Sequence, residues 1–260
     1  MSRLVRRAHD SALTLAAWAW FTGAFLAGFW FLYALACPLR PRLRRMFAFQ
    51  RLNHWYYRGF FALIRALAPG WRWRIDERLG ESRGRVILCN HLSYLDPLLM
   101  MAAMPHSLTL VKPGFFRFPI FGRVLRQAGY IPAGGDPGLM LDQMAGLQEC
   151  LAAGGNFFLF PEGTRSRTGE LIPLQPGALK LARQSGAELA VFRIKGTGDL
   201  FPPGRFLFNA GGGEIGVRQV GRIKPEDALY HGPPAELAAR VAELLAGEGT
   251  VSNVQSGETP

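Results

Sequence analysis

The chain has 260 residues, 49% of them hydrophobic, with a formal net charge of +11. That is enough for one sizeable domain with a buried core plus an appendage. Three cysteines, Cys37, Cys89 and Cys150, are an odd number with neither Cys-x-x-Cys nor metal-ligand spacing, which excludes a disulfide framework and fits a reducing cytoplasmic setting.

The charge is unevenly placed. Residues 1–85 hold 15 Arg and 4 acids, whereas residues 86–260 hold 15 Lys plus Arg and 15 acids. Within the basic third, residues 11–39 carry no charge at all. A run of that length exceeds the roughly 20 residues that cross a bilayer core. Trp18, Trp20, Trp30 and Tyr33 are suited to its interfaces, Arg3, Arg6 and Arg7 precede it, and Arg40, Arg42, Arg44 and Arg45 follow it. We therefore expect an N-terminal hydrophobic membrane-anchoring helix, spanning the bilayer or dipping into one leaflet as a hairpin. A cleaved signal peptide fits less well, because Pro38 and the arginine cluster follow the only small-residue stretch that suits cleavage. The larger positive excess on the C-terminal side predicts that the domain lies on the cytoplasmic face of the inner (plasma) membrane. Basic residues from 40 to 85, interleaved with Trp55, Tyr56, Tyr57, Trp71 and Trp73, suit an anionic phospholipid membrane as partner. Nucleic acid is excluded as partner: the positive charge is gathered beside an apolar run rather than spread over the folded domain.

Residues 41–67 read as a helix that ends before Pro69-Gly70. Beyond it, strand candidates lie at 85–89, 108–111, 129–132, 156–161, 189–194 and 214–220. Helix candidates at 97–104, 117–127, 138–152 and 176–185 alternate with them, and a helix at 234–246 closes the series. Such alternation predicts an α/β fold with a mostly parallel sheet flanked by helices. The expected organisation is membrane-anchoring helices over 1–67, an α/β domain over 68–246 and a disordered tail over 247–260. The glycine-rich stretch 210–214 reads as a hairpin turn.

The stretch "CNHLSYLDP", residues 89–97, places His91 and Asp96 five apart between a buried strand and a helix start. In an α/β sheet, ligands gather where strand C-termini meet helix N-termini. A fold-back would let Asp96 reach Nδ1 of His91, setting the tautomer and freeing Nε2 as a base. The competing reading is a helix cap ahead of Pro97. The chain carries its own control: Asn53-His54 has Gly59, not a carboxylate, five positions on. A second polar turn, "FPEGTRSRTGE" at 160–170, ends another strand. There Arg165 is suited to a phosphate, and Glu162 to a hydroxyl or a basic partner. The other histidines show no ligand spacing, and no nucleotide or metal motif appears.

His91-x-x-x-x-Asp96 within "NHLSYLDP", and Phe160 to Ser166, resemble the first and third blocks of the glycerolipid acyltransferases, the 1-acylglycerol-3-phosphate O-acyltransferase group. The likeness spans roughly residues 70–225 and takes in "KPGFFRFPIFGRVLRQAGYI" at 112–131 and "KGTGDLFPPG" at 195–204. It implies a membrane-bound O-acyltransferase with His91 and Asp96 as catalytic residues. It further implies that Asn90, Glu162, Gly163, Thr164 and Arg165 bind substrate. Acyl-CoA or acyl carrier protein would be donor, a lysophospholipid-like amphiphile acceptor, and no cofactor or metal would be needed. Backbone N–H groups at the helix start near Asp96 are candidates for the oxyanion. Ser93 and Cys89 are weaker candidates for a covalent nucleophile, since a thioester is already activated. Two departures bear on the acceptor: the second block ends in "GYIPAGGD" with no arginine, and Val191 stands where the fourth block has proline. The acceptor therefore stays open between 1-acylglycerol-3-phosphate and another lyso-lipid, such as a lyso-aminolipid or a specialised polyene lipid.

Overall fold

The computed structural model describes residues 3–26, 41–134 and 137–247. A seven-stranded sheet is built from β1 (Trp71–Ile75), β2 (Val86–Cys89), β3 (Ser107–Val111), β4 (Ile131–Pro132), β5 (Asn156–Leu159), β6 (Leu189–Lys195) and β7 (Gly213–Ile223). Its spatial order is β1-β7-β6-β2-β5-β3-β4. Every neighbouring pair is parallel except β6 and β7. β2 and β5 are buried throughout, as expected of strands covered on both faces; apart from Asn156 their residues are apolar.

The helices are α1 (Arg3–Ala19), α2 (Arg42–Leu67), α3 (Glu77–Glu81), α4 (Leu95–Ala103), α5 (Phe121–Gln127), α6 (Pro137–Ala152), α7 (Pro176–Gln184), α8 (Thr197–Leu200), α9 (Ala228–His231) and α10 (Pro234–Ala246). The α/β alternation matches the sequence reading. β1 and the short helices α3, α8 and α9 were not expected. "WRWRI" alternates large and charged residues as an edge strand does, but its arginines hide that signal. The expected helix over 117–127 is split into a 3₁₀ turn, Pro113–Arg117, and α5. Tyr130 stays outside β4, which is only two residues long.

α2 is half inside the protein. Met46, Phe49, Gln50, Asn53, Tyr57, Phe60, Phe61 and Ile64 recur at three- and four-residue spacing and are buried on one face. Each fully buried Phe or Ile is worth roughly 1.5–3 kcal/mol. Polar groups on this face are matched: Gln50 Nε2 donates to Ala128 O at 2.9 Å, and Asn53 Nδ2 to Tyr130 Oη at 3.0 Å. His54 lies 3.0 Å from Met101 O through Nδ1, and burial lowers its pKa. It is a core histidine with no carboxylate. A Cβ at Gly59 would lie 2.4 Å from the Trp20 ring, so the position five residues beyond His54 is occupied by a neighbour's indole.

The expected membrane-anchoring helix over 11–39 falls partly outside the described residues, at 27–39. Its described part continues α1 through a π-helical turn, Trp20–Ala24. Leu13 and Ala17 are buried in the same core as α2 and the sheet. No helix among the described residues is long and apolar enough to cross a membrane. α1 is 17 residues long, carries Arg3, Arg6, Arg7 and Asp10 in its first turns, and packs one face on protein. The tail from 248 also lies outside the described residues.

The glycine-rich stretch at 210–214 is not a tight hairpin. β6 and β7 are joined through α8 and the 201–212 segment, and the glycines instead let β7 begin hard against β1. Gly212 has φ +109°, and a Cβ there would lie 2.7 Å from Gly70 O.

Candidate active site

β6, β2, β5, β3 and β4 run parallel, so their C-terminal ends share one edge of the sheet. Both polar turns singled out in the sequence lie on it, His91 after β2 and Glu162 after β5. The chain from His91 folds back into the first turn of α4, which holds Asp96. His91 Nδ1 lies 2.9 Å from Asp96 Oδ2. The same oxygen accepts from the N–H groups of Leu92, at 2.6 Å, and Ser93, at 2.7 Å. Asp96 Oδ1 accepts from the Thr197 hydroxyl at 2.5 Å. Asp96 is wholly buried, whereas the His91 side chain is 16% exposed. Every other group on the Asp96 oxygens is a donor, so the carboxylate acts as acceptor throughout and Nδ1 carries the proton. Nε2 has no hydrogen-bond partner among the described residues.

The turn after β5 closes on this pair. Glu162 Oε1 accepts from His91 N–H at 2.6 Å, and Oε2 from Ile172 N–H at 3.0 Å. Ser166 N–H donates to His91 O at 2.8 Å. The His91 ring stacks on Phe160 with centroids 4.2 Å apart. Glu162 is 1% exposed. Burial pushes its carboxyl up, against the N–H groups of Ile172 and His91, which pull it down. Glu162 therefore fixes the backbone of His91 and of the following loop. Gly163 makes the turn with φ +70°, and a Cβ there would lie 3.1 Å from Gln175 Cγ. Thr164 is exposed on the same turn. The Arg165 guanidinium lies 3.3 Å from the centre of the Tyr94 ring, which brings its charge to the segment between His91 and Asp96.

Some expected roles fall elsewhere. Asn90 Nδ2 donates to Ile194 O at 2.9 Å, and Asn90 Oδ1 accepts from Ile194 N–H at 2.7 Å. Its amide thus ties the end of β2 to β6. The N–H groups of His91, Leu92, Ser93 and Leu95, at the expected oxyanion position, are held by Glu162, Asp96 and Ser93 side chains. Tyr94 N–H is left without a partner among the described residues. Ser93 is buried and donates to Phe201 O at 3.1 Å. Cys89 is buried, and burial raises its thiol well above the ordinary range. Neither is presented as a nucleophile. Thr197 and Tyr94, both essential to this geometry, were not singled out from the sequence. Thr197 sits in the family-like stretch 195–204, but nothing local marks it as Asp96's partner. No group of three or more His, Cys, Asp or Glu able to hold a metal occurs among the described residues.

Residues 71–195, which contain both turns, match the family described as Acyltransferase. The chain is 32% identical over 162 residues to a chloroplastic 1-acyl-sn-glycerol-3-phosphate acyltransferase of Arabidopsis thaliana, covering 62% of this chain and 44% of the relative. It is 32% identical over 120 residues to its counterpart in Brassica napus, covering 46% and 35%. The chain thus spans less than half the length of these relatives. The crystal structure of the 1-acyl-sn-glycerophosphate acyltransferase of Thermotoga maritima superimposes with a TM-score of 0.71 at 19% identity, covering 92% of this chain and 95% of that one. That likeness bears on the fold.

Proposed function

We propose, from the match of residues 71–195 to the acyltransferase family and the likeness to the relatives above, that the chain is a membrane-bound O-acyltransferase whose acceptor is 1-acylglycerol-3-phosphate and whose product is phosphatidate. The observation that carries this is the His91–Asp96 pair at 2.9 Å, with Nε2 unpartnered at the sheet edge where the second turn delivers Arg165. Nε2 takes the proton of the acceptor hydroxyl as its oxygen attacks the thioester carbonyl of acyl-CoA or an acyl carrier protein. The tetrahedral intermediate collapses by breaking the C–S bond, and the imidazolium returns the proton to the leaving thiolate. Asp96 holds the tautomer and stabilises the imidazolium. Base catalysis of this kind contributes typically 10²–10⁴-fold. Transfer is direct, in keeping with the inward placement of Ser93 and Cys89. Arg165 holds the acceptor phosphate, Gly163 and Thr164 shape its pocket, and Tyr94 N–H is the remaining donor for the oxyanion.

Membrane attachment is supported by where large apolar side chains are exposed. Leu4, Val5, Leu15 and Leu26 lie on α1 and its continuation, and Trp55 on α2. Tyr94, Phe115, Phe118, Phe206 and Leu207 lie on segments following β2, β3 and β6. We propose that these side chains meet the cytoplasmic side of the inner membrane, with the uncharged N-terminal run as the anchor.

A different lyso-lipid acceptor is the second reading, and one observation favours it. Arg193 donates to Leu244 O at 2.6 Å and Lys195 pairs with Glu214 at 2.5 Å, so neither supplies the arginine absent from the second block. The test is acyl transfer by purified protein in mixed micelles, with both donor types and 1-acylglycerol-3-phosphate, beside His91→Ala. Phosphatidate that disappears in the variant supports the first reading. Folded protein that acylates only acceptors without a phosphomonoester supports the second. A His91→Ala variant with undiminished turnover overturns the mechanism.

A further inference from the structure

A cleft of about 520 Å³ lies between the N-terminal turns of α1 and the 202–209 segment. Arg6, Arg7, Arg205, Phe206 and Leu207 line it, and none belongs to the His91 site. Asp10 lines it as well, but its Oδ1 is held by Ala210 N–H at 2.8 Å. Three guanidinium groups thus face one carboxylate. All three are exposed. Arg6 reaches only Asn209 Oδ1, at 3.4 Å, and the Arg7 and Arg205 side chains have no hydrogen-bond or ion-pair partner among the described residues. The charges also run against the local helix field. The positive end of a helix dipole favours acids, yet the first turn of α1 holds none. An anion from outside would relieve that repulsion. Beside the arginines, Phe206 is 67% and Leu207 42% exposed, and Phe206 stacks on Trp18 with centroids 5.6 Å apart. The two walls of the cleft are joined where Thr14 Oγ1 accepts from Phe208 N–H at 2.9 Å. Unpaired cations beside an exposed aromatic and an exposed leucine match a ligand with an anionic head and an apolar body.

We propose that this cleft binds the headgroup phosphate of an anionic bilayer phospholipid, at a site separate from the acceptor site at His91. It rests on the membrane-bound reading above, and it adds a headgroup preference to it. The measurement is cosedimentation of the full chain with vesicles of phosphatidylcholine alone, and with a fraction of phosphatidylglycerol, at low and high salt. Wild-type protein is expected to bind the anionic vesicles more tightly, with the excess removed by salt. Arg205→Gln, and Arg6→Gln with Arg7→Gln, are expected to lose about fivefold of that excess per arginine while binding to phosphatidylcholine is unchanged. Arg240→Gln, on α10, removes the same charge elsewhere and is expected to keep the excess. Equal loss in Arg240→Gln would reduce the effect to net charge and overturn the site, as would unchanged binding in Arg205→Gln. Turnover of a short-chain monodisperse acceptor, without vesicles, separates the two readings. Turnover kept in Arg205→Gln supports a bilayer site, whereas a raised KM would assign the cleft to the acceptor and overturn the proposal. Absence of turnover in wild type would count against the acyltransferase reading and leave the vesicle result to stand by itself.

Discussion

Asp96 receives donors from three positions close by in sequence and one from Thr197, at the far side of β6. Thr197→Val removes that last donor and leaves a buried carboxylate oxygen unmatched, at a cost of about 1–3 kcal/mol. The expected result is a roughly tenfold fall in kcat, the kinetic equivalent of about 1.4 kcal/mol, with KM unchanged and most activity restored by Thr197→Ser. A KM effect alone would show that Thr197 does not act through Asp96. Tyr94 is the platform for Arg165. Tyr94→Ala is expected to raise KM for a phosphomonoester acceptor about two- to fivefold, matching a partly exposed cation–π contact of about 0.5–1 kcal/mol, while Tyr94→Phe keeps it. Steady-state assays with matched acceptors, with and without the phosphate, distinguish this from general damage.

Between elements, the decisive contacts are those by which one strand end positions another. The Asn90 amide joins the end of β2 to Ile194 on β6 through two hydrogen bonds. Asn90→Ala strands a buried N–H and C=O, so its urea midpoint is expected to fall by the equivalent of about 2–3 kcal/mol. Loss of acceptor affinity without loss of stability would instead restore a substrate-binding role. The packing of α2 has its own pH signature. The ring of Phe47, on α2, stacks on His106, whose Nδ1 has no partner and whose pKa is lowered to about 4, by burial first and then by Arg51 and Arg83. An unfolded imidazole titrates near 6.5. Between those values the unfolded chain binds a proton that the folded one does not, so this contribution is complete above about pH 6.5 and lost as pH falls towards 4. Burial of His54 acts in the same direction, and the raised Glu162 carboxyl in the opposite one, since its stabilisation is lost as pH rises through its elevated value. His106→Phe keeps the stacking and removes the titration. Its thermal midpoint is expected to fall less steeply between pH 6.5 and 4 than that of the wild type. Parallel profiles would reject the assignment.

At the scale of the molecule, parallel strands gather the chemistry and the apolar exposure on overlapping ground. Phe115 and Phe118 follow β3 on the edge that carries His91. Replacing both by Ser removes exposed rings without opening the core. Vesicle binding is expected to weaken by about tenfold or more, with turnover of a short-chain soluble acceptor retained. Unchanged partitioning would mean that this edge does not meet the bilayer.

Much of the site was legible in the amino-acid order because its parts are local. His91 and Asp96 are five residues apart and meet through one fold-back, and "FPEGTRS" is a turn whose residue types declare its charge. The α/β alternation was legible for the same reason, since buried parallel strands such as "VILC", and "FFL" within β5, are continuous apolar runs. What pattern could not decide depended on partners distant in the chain. Asn90 lies beside His91 in sequence, yet Ile194 takes its amide. Glu162 looks like a surface acid, yet it is buried beneath His91, holding backbone. The first turns of the uncharged run from residue 11 read as apolar by composition alone, yet only the fold shows that Leu13 and Ala17 turn towards protein. Local order placed the two polar turns at strand ends and marked most of the buried strands. Only the tertiary structure, by choosing which buried polar and apolar groups satisfy one another, decided which side chains are committed to holding the sheet and its loops together.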